Sequence, residues 1–171
     1  MRKNITYLLL FVVLMMGSKV MAQVDFGMSA DIQSRYVWRG QAVGGNAPCL
    51  QPAATIGWKG LALDLWGSYS LNSTEYQELD WTLSYTMLDD MIRVQVTDYA
   101  FPNPASFPRY FDYKQSTTGH LLEAGLLFNV PNTHLSASVF TNFYGADALT
   151  MSGKLVYSTY AELGYEWECE K

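Results

Sequence analysis

The sequence predicts an all-β protein, an antiparallel up-and-down transmembrane β-barrel with about eight strands. Three observations predict it. Apolar and polar side chains alternate from Val24 onward, the alternating segments are long, and short and long connections follow one another in turn. Successive side chains of a strand point to opposite faces, so this alternation gives an apolar face and a polar face. A strand that crosses a bilayer at a tilt needs about 9–11 residues, whereas soluble strands average about five or six.

The first predicted strand runs from Val24 to Arg39. Its even-numbered positions are largely apolar, from Phe26 to Trp38, and its odd-numbered positions are mostly polar. The later segments continue this pattern and are separated by turn-forming residues. The predicted strands after the first are 50–58, 61–71, 78–87, 92–99, 121–130, 135–143 and 160–167.

The connections between these strands alternate in length. Tight turns are predicted at 59–60, 89–90 and 131–133, and longer loops at 40–48, 72–75, 101–118 and 145–154. In a meander every second connection lies at the same end of the sheet. One end therefore carries the tight turns and the other the longer loops, as in outer-membrane barrels with short periplasmic turns. We name them the tight-turn end and the long-loop end.

Residues 1–22 have the layout of a secretory signal peptide, which leaves residues 23–171 for the barrel. Arg2 and Lys3 are basic, 5–16 is almost wholly apolar, and 20–22 offers small residues at the cleavage positions. Removal of this segment leaves eight basic and sixteen acidic residues, a net charge of −8. This acidic balance argues against nucleic acid as a partner, because phosphate binding needs a basic face. Export of a barrel predicts the outer membrane of a Gram-negative bacterium as its location.

Alternation alone does not decide which face is inside. A soluble periplasmic or secreted ligand-binding β-barrel or β-sandwich also alternates, with its apolar face turned inward. Two further features favour outer-membrane lipid as the partner of the apolar face. The polar face is mostly Ser, Thr, Gly, Gln and Asn, and aromatic residues gather at both ends of the apolar face, as at membrane–water boundaries. The predicted aromatic girdle comprises Phe26, Trp58, Phe128 and Trp167 at the tight-turn end, and Tyr36, Trp38, Tyr69 and Phe143 at the long-loop end.

The run Ser34-Arg35-Tyr36-Val37-Trp38-Arg39-Gly40 resembles the opening of the TorF-type porins, a family of Gram-negative outer-membrane proteins. Weaker similarities lie at 57–61, 97–99 and 157–165. The resemblance implies an outer-membrane barrel that passes small solutes and is inserted by the barrel-assembly machinery. Family members look longer and end on an aromatic residue, whereas this chain ends Glu168-Cys169-Glu170-Lys171. We therefore expect either a truncated copy or closure with about eight strands, whose interior is just filled by side chains.

Charged residues on the polar face predict an interior (lumen) charge cluster near the long-loop end. In a pore such a cluster sets charge selectivity. The alternative is structural, since a small barrel pairs the charges that it buries because an unpaired buried charge is costly. The predicted members are Arg35, Arg39, Glu78, Asp80, Glu123 and Glu162.

The sequence predicts neither an enzyme nor a metal or cofactor site. His120 and His134 are the two histidines, and no G-x-S-x-G motif or ordered set of nucleophile and base accompanies them. Cys49 and Cys169 are predicted not to pair, because they fall at opposite ends of an apolar band about 25 Å tall. A disulfide requires Cα atoms within about 7 Å of each other.

Overall fold

The structure, a computed structural model, describes residues 24–43, 46–72, 76–102, 110–145 and 154–167. The predicted signal peptide and Cys169 lie outside these residues. The described chain forms β-strands, and none of its segments is a helix long and apolar enough to span a membrane. The strands are β1 (Val24–Gln33), β2 (Tyr36–Trp38), β3 (Gln41–Val43), β4 (Cys49–Trp58), β5 (Leu61–Ser70), β6 (Gln77–Met87), β7 (Ile92–Ala100), β8 (His120–Asn129), β9 (Leu135–Gly145) and β10 (Thr159–Tyr165).

Eight of these strands form one antiparallel sheet in the order β1-β4-β5-β6-β7-β8-β9-β10. The predicted all-β antiparallel meander of eight strands is thereby confirmed. β2 and β3 pair only with each other, as a short hairpin between β1 and β4. The tight turns lie at 59–60, 88–91 and 130–134, all at one end of the sheet.

The predicted closed barrel is not formed by the described residues. β1 pairs only with β4, and β10 pairs only with β9, so the sheet is open between its two edges. Closure requires a hydrogen-bonded ladder between the first and last strands. The outer edges of β1 and β10 lack that ladder.

The open sheet is nevertheless curved. In a flat sheet of eight strands β1 and β10 would lie about 34 Å apart, since neighbouring strands are about 4.8 Å apart. Arg39, six residues beyond the end of β1, places its guanidinium carbon 4.5 Å from the ring of Tyr160 on β10. A curl of the sheet toward its polar face accounts for this contact and for the burial of small polar residues such as Ser68 on that face, so the polar face is on the concave side.

Burial is inverted relative to a water-soluble sheet. Buried positions of the concave face carry polar side chains such as Ser68, Ser84 and Thr97, which are at most 4% exposed. The apolar face is exposed, and Leu83 in the middle of β6 is 53% accessible although strands flank it on both sides. The polar face thus occupies the interior of this fold.

The first strand is shorter than predicted. β1 ends at Gln33, and the chain bends at Ser34-Arg35 before the β2–β3 hairpin. Arg39 and Gly40 form the tip of that hairpin with φ angles of 48° and 74°, the left-handed conformation of a two-residue hairpin turn.

The placement of Tyr36 and Trp38 in the aromatic girdle was wrong. The alternation of β1 does not continue through the bend, so both rings leave the apolar face. Tyr36 is 9% exposed and packs against Trp66 on the polar face of β5. Trp38 packs against Tyr99 on the polar face of β7.

A β-bulge in β9 interrupts the alternation that placed Phe143 on the apolar face. Asn142 pairs with Glu123 and Tyr144 pairs with Leu122, so Phe143 has no partner in β8. Tyr144 takes the apolar-face position expected for Phe143. The other predicted girdle residues remain between 37% and 81% exposed: Phe26, Trp58, Tyr69, Phe128 and Trp167.

The turn between β4 and β5 depends on a glycine. Gly60 has a φ of 83°, and a Cβ atom there would lie 2.4 Å from the carbonyl oxygen of Thr86. The Gly60 carbonyl accepts a hydrogen bond from the Thr86 amide at 2.8 Å, which fixes this approach. A side chain at residue 60 therefore meets both an unfavourable backbone conformation and a steric clash.

We expect Gly60→Ala to lower the free energy of unfolding by about 1–3 kcal/mol, because the strained φ and the displaced Thr86 carbonyl both act on the folded state. Equilibrium denaturation measures this loss. Gly27→Ala is the matched control, since its Cβ would meet nothing within 4 Å. Equal stability of the two variants would contradict the turn geometry.

Candidate functional site

The candidate site lies on the concave polar face at the long-loop end. The β2–β3 hairpin folds over this face, and polar side chains from β6, β7 and β8 meet it from below. Buried carboxylates lie there at two places, a single one at Glu123 and a pair formed by Glu78 and Asp80.

Arg39 and Glu123 form the central ion pair of the site. Two guanidinium nitrogens of Arg39 donate to the two carboxylate oxygens of Glu123 at 2.7 and 2.8 Å. The Tyr99 hydroxyl donates to the same carboxylate at 2.9 Å. Glu123 is 2% exposed, so these donors replace the water that an ionised carboxylate needs. The forked geometry joins the hairpin tip to β8 over 84 residues of sequence.

Three aromatic rings surround the guanidinium of Arg39. Its central carbon lies 4.3 Å from the ring of Trp38, 4.8 Å from that of Phe140 and 4.5 Å from that of Tyr160. Aromatic faces attract cations, and the attraction grows when water is excluded. Arg39 therefore ties β2 to β8, β9 and β10 through one side chain.

Glu78 and Asp80 form a second buried group, the acidic pair, on the polar face of β6. Glu78 is 4% exposed and accepts hydrogen bonds from the hydroxyls of Tyr76, at 2.9 Å, and Tyr36. Burial and the adjacent Glu78 carboxylate raise the pKa of Tyr76, so this hydroxyl stays protonated as a donor. Asp80 is 7% exposed and accepts from the Ala100 amide.

One oxygen of the acidic pair has no partner. Oδ1 of Asp80 is buried and makes no hydrogen bond to any of the described residues. No Arg, Lys or His nitrogen of the described chain lies within ion-pair distance of Glu78 or Asp80. The acidic pair is thus compensated by hydroxyl and amide donors alone, in contrast to Glu123.

The structure brings together four of the six predicted cluster residues and leaves two apart. Glu123, Glu78 and Asp80 lie under the hairpin whose tip carries Arg39. Tyr99 links them, because it pairs with Asp80 in the sheet and donates a hydrogen bond to Glu123. Glu162 is on the same face of β10 but is exposed, and it accepts a hydrogen bond from Tyr160 at 2.7 Å.

The inclusion of Arg35 in the cluster was wrong. Arg35 lies at the bend after β1, its side chain is exposed, and within the described residues no ion pair joins it to an acid. Since the chain bends at Ser34-Arg35, the alternation of β1 no longer fixes where this side chain points.

A separate polar group lies on the apolar face, at its long-loop rim. The alternation of β7 and β8 places Asp98 and His120 on the apolar face. His120 is nevertheless only 1% exposed, because residues 110–119, the rim segment, fold over it. Nδ1 of His120 lies 2.7 Å from Asp98, and Nε2 contacts the carbonyl oxygen of Tyr110. The Tyr113 ring stacks on the imidazole at 4.2 Å.

Hydroxyl and indole groups complete the attachment of the rim segment. Tyr113 donates to Asp98 at 2.5 Å, and Trp81 donates to the Tyr110 hydroxyl at 2.8 Å. Burial, together with the hydrogen bond to Asp98, raises the pKa of Tyr113, so the phenol remains a donor. Both ring nitrogens of His120 face oxygen atoms that hold the segment on the sheet, so this histidine has a structural role.

Sequence reasoning missed several residues of the site. Tyr99 could have been found, because its parity places it on the polar face between Asp80 and Glu123. Tyr36 and Trp66 gave no such signal, since their contact follows from the bend after β1. The pairing of Asp98 with His120 depends on the path of the rim segment, which alternation does not describe.

Comparisons of this chain with protein-family profiles, with curated proteins and with solved structures found no match.

We expect Arg39→Ala to destabilise the fold by about 3–5 kcal/mol, because Glu123 would keep a buried charge without its cationic partner. Thermal or urea denaturation measures the loss. Adding Glu123→Gln should restore part of the stability, since it removes the unpaired charge.

Arg35→Ala is the matched control, because Arg35 is exposed and we expect a change within about 0.5 kcal/mol. If Arg39→Ala lowered the free energy of unfolding as little as Arg35→Ala does, the Arg39–Glu123 ion pair would not contribute to the stability of the fold.

Proposed function

We propose that this chain is an outer-membrane β-barrel protein of the porin type, located in the outer membrane of a Gram-negative bacterium. The inverted burial carries the proposal. Ser68, Ser84 and Glu123 are almost wholly buried, while Leu83 and Ile56 on the other face are at least half exposed. Hydrocarbon is the solvent that matches such an apolar exterior. It offers no hydrogen-bond partner, so polar groups are enclosed in the interior, and aliphatic side chains can face it without cost.

A soluble ligand-binding β-protein is the alternative, and the side-chain pattern counts against it. Lipocalin-like barrels and sandwiches bury their apolar faces. Monomeric soluble proteins rarely expose contiguous apolar areas above a few hundred Å². Here the exposed apolar side chains form a continuous row across neighbouring strands. Ile56 of β4 lies opposite Leu63 of β5, and Leu63 lies opposite Leu83 of β6.

Three further features support the membrane proposal. The tight turns lie at one end of the sheet and the long connections at the other, as in outer-membrane barrels. Exposed aromatic residues such as Trp58 and Phe128 lie near the tight-turn end of the apolar face, where a membrane boundary would fall. The predicted signal peptide at 1–22 and the resemblance of 34–40 to TorF-type porins agree with export and with insertion by the barrel-assembly machinery.

Within this class we propose passive passage of small polar solutes through the interior. The hydroxyl-rich polar face supplies a polar wall, and the charges of Arg39 and Glu123 under the hairpin tip supply selectivity. A closed structural barrel is the second candidate. It is favoured by one observation, that the β2–β3 hairpin crosses the concave face and is held there by Arg39.

We expect Leu83→Arg to destabilise the membrane-inserted protein by about 2–4 kcal/mol, the cost of a charge on the lipid face near the bilayer midplane. At a half-exposed position in water the same substitution would change stability by no more than about 0.5 kcal/mol. Urea denaturation in lipid vesicles makes the measurement.

Leu88→Arg is the control for this substitution. Leu88 is 60% exposed but lies in the turn after β6, where a charge costs about 0–1 kcal/mol. If Leu83→Arg matched Leu88→Arg, or if the chain stayed folded and monomeric without detergent, the soluble alternative would replace the proposal.

We expect the full chain to produce single-channel currents in planar bilayers, and Arg39→Ala to give larger currents because the hairpin loses its attachment to β8. Arg35→Ala should conduct like the unmodified protein. Absence of current from every inserted variant would reject solute passage and leave the closed barrel.

A further inference from the structure

The acidic pair is the feature that the proposed function leaves unexplained. Glu78 and Asp80 are two residues apart on the same face of β6, so their carboxylates project side by side into the interior. Both are more than nine-tenths buried, and in the described part of the chain Oδ1 of Asp80 has no hydrogen-bond partner. A buried, unpartnered carboxylate oxygen is costly in any environment that excludes water.

The neighbouring carboxylates show what compensation normally requires. Glu123 has the two nitrogens of Arg39, and Asp64 has Arg93 at 3.3 Å with the Thr55 hydroxyl at 2.6 Å. Both of these acids therefore have a cationic partner. The acidic pair has none within the described residues, although it is buried more deeply than Asp64.

The surroundings of the acidic pair supply oxygen atoms. Hydroxyls of Tyr36 and Tyr76 bond to Glu78, and Ser68 pairs with Glu78 in the adjacent strand. The rings of Tyr36 and Trp66, 5.4 Å apart, cover this part of the polar face. Such an environment combines two carboxylates with neutral oxygens under an aromatic cover.

From this arrangement we infer that the acidic pair binds a hard divalent cation of the Ca²⁺ class. Hard cations take oxygen ligands and often retain several waters. A divalent ion would balance both carboxylates and give Oδ1 of Asp80 a partner. The described residues contain no cluster of three or more His, Cys, Asp and Glu for a metal, so waters and hydroxyls complete the coordination.

The bound cation would also act on the fold. The Tyr36 hydroxyl joins the hairpin to Glu78, so a cation on the acidic pair and the Arg39–Glu123 pair would hold the same hairpin at two points. The site belongs to the interior of the proposed barrel, but its occupancy does not require that the barrel conduct.

Terbium luminescence tests the site in the folded full chain in detergent micelles. Tb³⁺ takes the oxygen ligands of Ca²⁺ and emits when a nearby aromatic ring transfers its excitation energy, and Tyr36, Tyr76 and Trp66 are such rings. We expect saturable emission that Ca²⁺ displaces. Glu78→Gln and Asp80→Asn should each weaken Tb³⁺ binding by about 10–100-fold, the loss typical of a disturbed metal site.

Asp64→Asn is the matched control, because Asp64 lies on the same face but already has Arg93 as its partner. It should bind Tb³⁺ like the unmodified chain. Circular dichroism verifies that each variant is folded, and the near-isosteric amides keep the shape of the site.

Absence of sensitised emission from the folded protein would overturn the inference, as would undiminished binding in the double variant E78Q/D80N. Neither result bears on membrane insertion, which Leu83→Arg tests separately.

Discussion

The buried polar side chains on the concave face of this sheet are shielded from water, so they depend on the fold for their hydrogen-bond partners. Side-chain hydrogen bonds across that face supply these partners. Thr82 and Thr97 share a hydrogen bond at 2.9 Å, and nearer the long-loop end Arg39 and Tyr99 donate hydrogen bonds to Glu123. A buried carboxylate needs several donors, and no single adjacent strand position supplies them all. The β2–β3 hairpin therefore takes part in the interior as directly as the strands do.

The hairpin geometry follows from the same requirement. Arg39 adopts a positive φ of 48°, a conformation that costs a residue other than glycine about 1–2 kcal/mol. In return, this tip position carries its guanidinium to Glu123 and to the rings of Phe140 and Tyr160. The charge-assisted hydrogen bonds outweigh the backbone cost, because without them Glu123 would be an unpaired buried charge. A strained turn and a buried ion pair are thus two parts of one arrangement.

The apolar face has no such requirement for hydrogen-bond partners. Its aliphatic side chains need no hydrogen-bond partner, so they remain exposed along whole strands, as Leu83 and Ile56 do. The exception is informative. Asp98 and His120 carry polar groups onto this face, and there the rim segment covers them and supplies hydrogen bonds from Tyr113 and contact with the Tyr110 carbonyl. The buried polar groups of both faces are enclosed by other parts of the chain, whereas aliphatic side chains of the apolar face are left exposed.

Alternation in the sequence determined the strands, their faces and the order of tight and long connections, because each follows from the two-residue period of a strand. It placed Glu78, Asp80 and Glu123 correctly on the polar face. It failed where the period is broken, at the bend that moves Tyr36 and Trp38 to the polar face and at the bulge that leaves Phe143 without a partner in β8. The partner of Arg39, the unpartnered oxygen of Asp80 and the cover over His120 were decided by tertiary structure alone, since contacts between distant segments depend on how the sheet curls and not on local spacing.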